Sequence, residues 1–336
     1  MTPERTIHHS KPCIGDEEIA AVTRVLRSGN IAQGKEVEAF EHACAEAFGR
    51  KHAVAVSSGT AALHLALITL NVRKGDPVAV PSYACAALLY PIIWQQADPV
   101  LCDIRADYNL DPRDVPGSSR AVIMPHLFGA PLELPREDHI IEDIAQAMGG
   151  PVGRATQVVI TSFYATKMLA TGEGGMLLTD DAGIADHARD LRDYDNRDDF
   201  SIRYSYKTTD FQAAMGREQL KKLPRFVARR RSIAERYREA FRDLPLHLPG
   251  GEGHVYFRYV VATPKRDALE ARLNALGVEA KRPVHRPAHH YLGGDYPIAE
   301  RAHQECLSLP IYPAMVDEEV EYVIESVVKA CDALMA

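Results

Sequence analysis

The sequence predicts an α/β protein: a mostly parallel central sheet covered by helices, with a smaller α+β domain after it. Three observations carry this. Short apolar runs alternate with helical patterns through the first two-thirds of the chain. The runs are nearly all apolar instead of alternating, as strands buried on both faces read. LPLHLPGGEGHV, from Leu244 to Val255, is rich in Pro and Gly and marks a boundary. It divides a large domain, residues 1–243, from a small one, residues 244–336.

Each element follows from local pattern. Gly15-Asp16 opens a helix whose Ile19, Val22, Val25 and Leu26 are expected to share a buried face. A second helix covers Lys35 to Phe48, with Val37, Phe40, Cys44 and Phe48 at helical spacing and Gly49 as its stop. Strands are predicted at His52–Val56, Val78–Val80, Pro99–Ile104, Ala121–Met124, His139–Glu142, Val158–Phe163 and Met176–Thr179. AALHLALITL follows the first of them as a helix. A charged helix spans about Asp210 to Asp243, and the triplet Arg229-Arg230-Arg231 reads as its solvated face. In the last third, Tyr256–Thr263 reads as a strand, Arg266–Leu276 and Asp317–Leu334 as helices.

Composition narrows the function. Apolar residues make up 46% of the 336, enough to bury a real core. The net charge of −7 argues against a nucleic-acid binder. The six cysteines are scattered with no Cys-x-x-Cys pair, which removes zinc-ribbon and thioredoxin-like readings and points to a reduced, cytoplasmic setting. MTPERTIHHS predicts no secretory leader, and no apolar run has the length of a membrane span.

Three segments at strand ends carry chemistry, where open α/β sheets bind ligands. Ser57-Ser58-Gly59-Thr60 joins a strand to a helix, and the free N–H groups there favour a phosphate. Asp143 follows an apolar strand and suits the protonated pyridine nitrogen of pyridoxal phosphate (PLP), with Gln146 near enough to reach the same ligand. Lys167 follows another strand and precedes Gly172-Glu173-Gly174-Gly175. A desolvated lysine is the nucleophile that a cofactor aldehyde requires, and Ser162 is a further phosphate donor. Taken singly, each has a plain structural alternative: a Ser/Thr helix cap, a capping Asp143 or Glu142, a surface-loop lysine. Together they supply a phosphate cradle, an acid and an amine. His285, His289, His290 and His303 cluster in sequence, but no carboxylate or cysteine sits at a matching ligand spacing, so no metal site is expected. His126 reads as packing or as a cofactor neighbour, and 192–199 as a mobile polar loop.

SSGTAALHLAL, EDIAQAMGG, SFYATKMLATGEGGMLLTDD and YSYKTTDFQAAMGREQLKKL resemble the DegT/DnrJ/StrS-type sugar aminotransferases, over nearly the whole chain. The resemblance implies a fold type I PLP enzyme that acts on nucleotide-linked keto-sugars with glutamate as amine donor, as a homodimer with a shared site. It implies that Lys167 anchors the cofactor, Asp143 holds the pyridine nitrogen, Gln146 contacts the ring hydroxyl, and Ser58, Gly59, Thr60 and Ser162 bind phosphate. It would also bring His285 toward the substrate. Three departures stand out. Tyr204-Ser205-Tyr206-Lys207 replaces the family's usual Tyr-Asn-Tyr-Arg, so Ser205 stands where an Asn reaches the partner's phosphate. Cys85 stands where a ring-stacking aromatic is common, and Tyr83 is the expected substitute. The stretch 114–153 is short. Lys167, where some relatives carry His and dehydrate their substrate, favours amino transfer. The rivals are another PLP reaction (dehydration or elimination) and a PLP-binding regulatory protein without turnover. A nucleotide-binding oxidoreductase ranks last, because no Gly-x-Gly-x-x-Gly follows the first strand.

Overall fold

The computed structural model describes residues 5–134 and 139–335. The chain opens with α1 (Asp16–Ser28) and α2 (Lys35–Phe48), each closed by a left-handed glycine, Gly29 and Gly49. Alternation then sets in: β1 (His52–Val56), α3 (Gly59–Thr69), β2 (Pro77–Pro81), α4 (Leu89–Trp94), β3 (Asp98–Cys102), β4 (Ala121–Pro125), β5 (Ile140–Asp143), β6 (Val158–Ser162), β7 (Gly175–Thr179) and α5 (Ala182–Arg192). The long α6 (Asp210–Phe241) leads to β8 (Tyr259–Ala262), α7 (Arg266–Ala275), α8 (His289–Leu292), α9 (Pro297–Glu305), β9 (Cys306–Leu309) and α10 (Asp317–Met335).

The seven-stranded sheet has the order β1-β7-β6-β5-β4-β2-β3. All pairs are parallel except those of β7, which runs against both neighbours. The connection from β6 to β7 folds back on itself, with the Phe163 and Ala165 N–H groups donating to the Gly174 and Gly172 carbonyls, so β7 returns antiparallel. That connection carries Lys167. A second sheet pairs β8 with β9 antiparallel. Ile7, far away in sequence, bridges to Val278 beside it. α6 serves both cores: Leu223 and Val227 pack under the large sheet, Tyr237 and Phe241 under the small one.

Four expectations change. In α1 the buried face is Glu18, Ala21 and Val25, while Ile19 and Leu26 are 58% and 55% exposed. Small Ala21 lets α1 approach Ala214 of α6, and Glu18 is drawn in by Gln219 and Lys222. No helix follows β5, so neither Glu142 nor Asp143 caps one; residues 145–149 turn and Gly149 is left-handed at φ 85°. The expected strand at Tyr256–Thr263 begins only at Tyr259. Tyr256 is left-handed at φ 50°, and the Val255 and Arg258 N–H groups donate instead to the carbonyls of Gly129 and Phe128. Arg230 is buried, not solvated, and donates to the carbonyls of Tyr256, Phe257 and Ile311.

Candidate active site

Strand register brings the three chemical segments together. Gly175, the first residue of β7, faces Val56 at the end of β1 and Ser162 at the end of β6. Pro125 of β4 faces Asp143 of β5. The glycines are needed for closeness: a Cβ on Gly175 would stand 2.3 Å from the Ser58 carbonyl oxygen, and one on Gly59 would stand 2.7 Å from the Ser162 Cβ. The start of α3 is thus pressed onto the ends of β6 and β7.

A cavity of about 270 Å³ lies over these strand ends, and Ser58, Gly59, Thr60, Asp143, Gln146, Ser162 and Lys167 all line it. Ser58 is the N-cap of α3, its Oγ accepting from Ala61 N–H at 3.0 Å. Helix geometry leaves the N–H groups of Gly59 and Thr60 without an intrahelical acceptor. The Ser162 Oγ accepts from Tyr164 N–H at 3.3 Å, which leaves its hydroxyl hydrogen to donate. Gln146 is fixed by Phe128 N–H, which donates to its Oε1 at 2.8 Å and leaves the amide NH₂ as the free donor.

Burial dominates the two charged groups. It pushes the Asp143 carboxyl above its ordinary value, against the Ala145 N–H bond at 2.9 Å and the charge of Lys167. It pushes the Lys167 amine below its ordinary value; Asp143 and Cys85 oppose the shift and Arg258 adds to it. Both groups are poised toward their neutral forms, the form in which an amine is nucleophilic. Beside them His126 is held structurally. Its Nε2–H donates to Glu142 at 2.9 Å, and its Nδ1 accepts from Leu132 N–H.

Two predicted site residues are elsewhere. Tyr83 is fully buried, its ring against Tyr108 and Phe128 and its hydroxyl donating to the Ala302 carbonyl, so it does not reach the cavity. That stretch of wall is made by Ala84, Cys85, Ala87 and Leu88. Ser205 is exposed and away from its own chain's cavity; next to it, the Tyr206 hydroxyl lies 2.9 Å from His64 Nδ1. The histidine cluster does have a carboxylate. Glu300 of α9, ten residues beyond His290, receives the Nε2–H groups of His289 and His290 at 3.0 and 2.6 Å. Sequence spacing hid it because the chain folds back between α8 and α9. The polar loop 192–199 is tied down through Asp193 and Asp195 to Lys207 and through Asp199 to Arg203.

Residues 12–328 match the profile of the DegT/DnrJ/EryC1/StrS aminotransferase family.

The chain belongs to this family.

It is 35% identical to the spore coat polysaccharide biosynthesis protein SpsC of Bacillus subtilis, over 95% of both chains. Among solved structures it is similar to the aminotransferase TlmJ of Streptoalloteichus hindustanus (TM-score 0.90, 32% identity, 98% of this chain and 100% of that one). It is also similar to DesV of S. venezuelae (TM-score 0.87, 32% identity, 94% of each). The protein is a fold type I, PLP-dependent aminotransferase of the sugar aminotransferase family. The cavity fits that cofactor. It offers an unfilled donor set at the α3 N-terminus, a buried carboxylate whose cost a pyridinium would offset, and a lysine pushed toward its free amine.

Proposed function

We propose that this aminotransferase moves an amino group from glutamate to the keto carbon of a nucleotide-linked sugar, in the cytoplasm, for polysaccharide or amino-sugar synthesis. The observation that carries it is the shared cavity of Lys167, Asp143 and the α3 N-terminus. In this reading the N–H groups of Gly59 and Thr60 and the hydroxyls of Ser58 and Ser162 hold the cofactor phosphate. Gln146 donates to the ring hydroxyl, and Asp143 keeps the ring nitrogen protonated. When bound, PLP supplies the electron sink that lets a proton leave the carbon next to the amine. Lys167 anchors the cofactor. Once displaced by the donor, its Nζ would take that proton from the donor carbon and deliver it to the cofactor carbon on the other side of the shared nitrogen, as base and then acid. The same lysine works in reverse on the sugar.

The protein acts here as a homodimer, with Ser205 offered to the partner's phosphate site; its exposure, away from its own cavity, supports this. The reading also divides the chain at 243/244 into a cofactor domain and a small domain, which the two separate sheets support.

The test is the absorbance spectrum of the purified protein before and after glutamate, with Lys167→Ala alongside. A visible cofactor band that glutamate bleaches, and that Lys167→Ala lacks, is the expected result. Formation of an amino sugar from a nucleotide keto-sugar completes it. A band indifferent to glutamate removes the donor, and a dehydrated product replaces transamination with elimination.

A further inference from the structure

Folding brings three metal-ligating side chains together outside the catalytic cavity. His289 and His290 of α8 and Glu300 of α9 each offer one ligand atom, and these atoms all lie within 4.8 Å of one another. His289 Nε2 is 3.0 Å from Glu300 Oε2, and His290 Nε2 is 2.6 Å from the same oxygen. Ligand atoms on a tetrahedral zinc ion, at bonds of about 2.0–2.1 Å, stand about 3.3 Å apart, so a small side-chain adjustment admits one. Two imidazoles and a carboxylate form a transition-metal set, whereas calcium and magnesium prefer sites made of oxygen. His289 is buried, while His290 and Glu300 are half-buried, which leaves a way in and room for water as a fourth ligand.

The groups behind these ligands are already placed. His289 Nδ1 lies 2.5 Å from the Oγ of Ser82, a fully buried residue. In the hydrogen-bonded pairing, His289 donates from Nε2–H to Glu300 and its Nδ1 accepts from the serine. An ion takes the Nε2 lone pair; the ring proton then moves to Nδ1, where Ser82 Oγ accepts it. Glu300 turns Oε2 to the histidines, and its Oε1 accepts from the Gln304 side-chain amide at 2.8 Å, which orients the carboxylate for binding through one oxygen. His303, one turn further along α9, sets its ring edge-on to that of His290, with centroids 4.9 Å apart. Its Nε2 accepts from Arg282, and its Nδ1 is buried with no hydrogen-bond partner among the described residues. A buried N–H beside the trio is thus left for a ligand to answer.

We propose that His289, His290 and Glu300 bind a divalent transition-metal ion of the zinc type, with water as the fourth ligand. The ion's role is structural, since none of the three lines the Lys167 cavity. Ser82, which His289 reaches, follows β2 directly and leads through Tyr83 into Ala84 and Cys85 of the cavity wall. Ala288 N–H donates to the Ser82 carbonyl at 2.8 Å. The Asp103 carboxylate, just after β3, accepts from the N–H groups of Ile298 and Ala299 at the start of α9. The ion therefore pins the α8–α9 segment to the strand ends that carry one wall of the catalytic cavity. It takes no part in amino transfer, so the site stands or falls separately from the reaction.

The test uses the holoenzyme after dialysis against a chelator. Calorimetry with Zn²⁺ is expected to show one ion per chain at about micromolar affinity or tighter. Co²⁺ in its place should show the visible ligand-field bands of a four-coordinate ion. Glu300→Gln and His290→Ala each weaken Zn²⁺ binding about a hundredfold or more, and Ser82→Ala about ten- to one-hundred-fold. Zn²⁺ raises the unfolding temperature of the wild type and leaves that of Glu300→Gln and His290→Ala unchanged. His290 is half-buried, so its truncation keeps the fold, and a retained cofactor band confirms it. Unchanged Zn²⁺ affinity in both variants overturns the proposal. So does binding seen only at millimolar Zn²⁺, the behaviour of scattered surface histidines. A site that survives in both variants and disappears with the cofactor belongs to the cofactor phosphate and overturns it as well. An unfolding temperature that falls in the variants while the wild type ignores Zn²⁺ reduces the trio to a hydrogen-bonded cluster.

Discussion

Asp143 pits function against stability within one residue. Its carboxyl is pushed up by burial, so above that raised pKa the ionised form costs the fold free energy that the unfolded chain does not spend. Asp143→Asn keeps an oxygen for the Ala145 N–H. The cofactor-free variant is expected to be as stable as wild type or about 1 kcal/mol more stable near neutral pH. Its turnover should nevertheless drop about a hundredfold or more, because the ring loses its charged partner. Urea unfolding of the cofactor-free protein and kcat of the loaded enzyme check the two halves. Gly175 is the complementary case, conserving space instead of charge. Gly175→Ala drives a methyl into the Ser58 backbone and should cost about 1–3 kcal/mol while weakening cofactor retention. A denaturant midpoint and a cofactor titration would show both.

At the level of elements, α6 ties together the segments that flank the small sheet through one side chain. Arg230 reaches three carbonyls from two segments, and burial, followed by Arg258, lowers its pKa to about 9. Arg230→Met leaves those carbonyls without their donor, with an expected loss of about 2–4 kcal/mol in urea unfolding. The Phe257 ring that Lys167 and Arg258 share should also loosen, so cofactor retention falls with stability. The triplet Arg229-Arg230-Arg231 shows the limit of composition. Three adjacent arginines read as a solvated face, yet the middle one points inward because the left-handed Tyr256 turns carbonyls toward it. The connection between β6 and β7 shows the opposite. Its glycines were legible as a turn, and the turn brings Lys167 to the cavity that Asp143 and Ser162 also line.

For the molecule as a whole, acid is the expected weakness. Burial lowers the pKa of His9 to about 3, and of His64 and His254 to about 4. Each is neutral in the fold and takes up a proton on unfolding. Their contribution is complete above the ordinary histidine value of 6.5 and is lost as the pH falls toward 4 to 3. Unfolding free energy should therefore drop steeply below pH 6.5, with these three alone adding up to about three protons to the uptake. Urea midpoints from pH 7.5 to 4.5 test this, and His64→Gln should flatten the slope by about one proton. No helix among the described residues is long and apolar enough to cross a membrane.

The elements with strong local signals were legible from the residues alone. The runs at 52–56, 121–124 and 158–163, α2 with its Gly49 stop, and the Ser58, Asp143 and Lys167 segments all rest on adjacent residues, whose spacing carries the information. That these segments share a cavity depends on sheet order and register, which bring Val56, Asp143 and Ser162 to one edge. The tertiary structure alone decided that Tyr83 turns into the core, that Glu300 meets His289 and His290, and that Lys167 and Arg258 both lie within about 5 Å of the Phe257 ring. Those contacts join residues far apart in the chain, and no periodicity encodes a partner that only folding brings near.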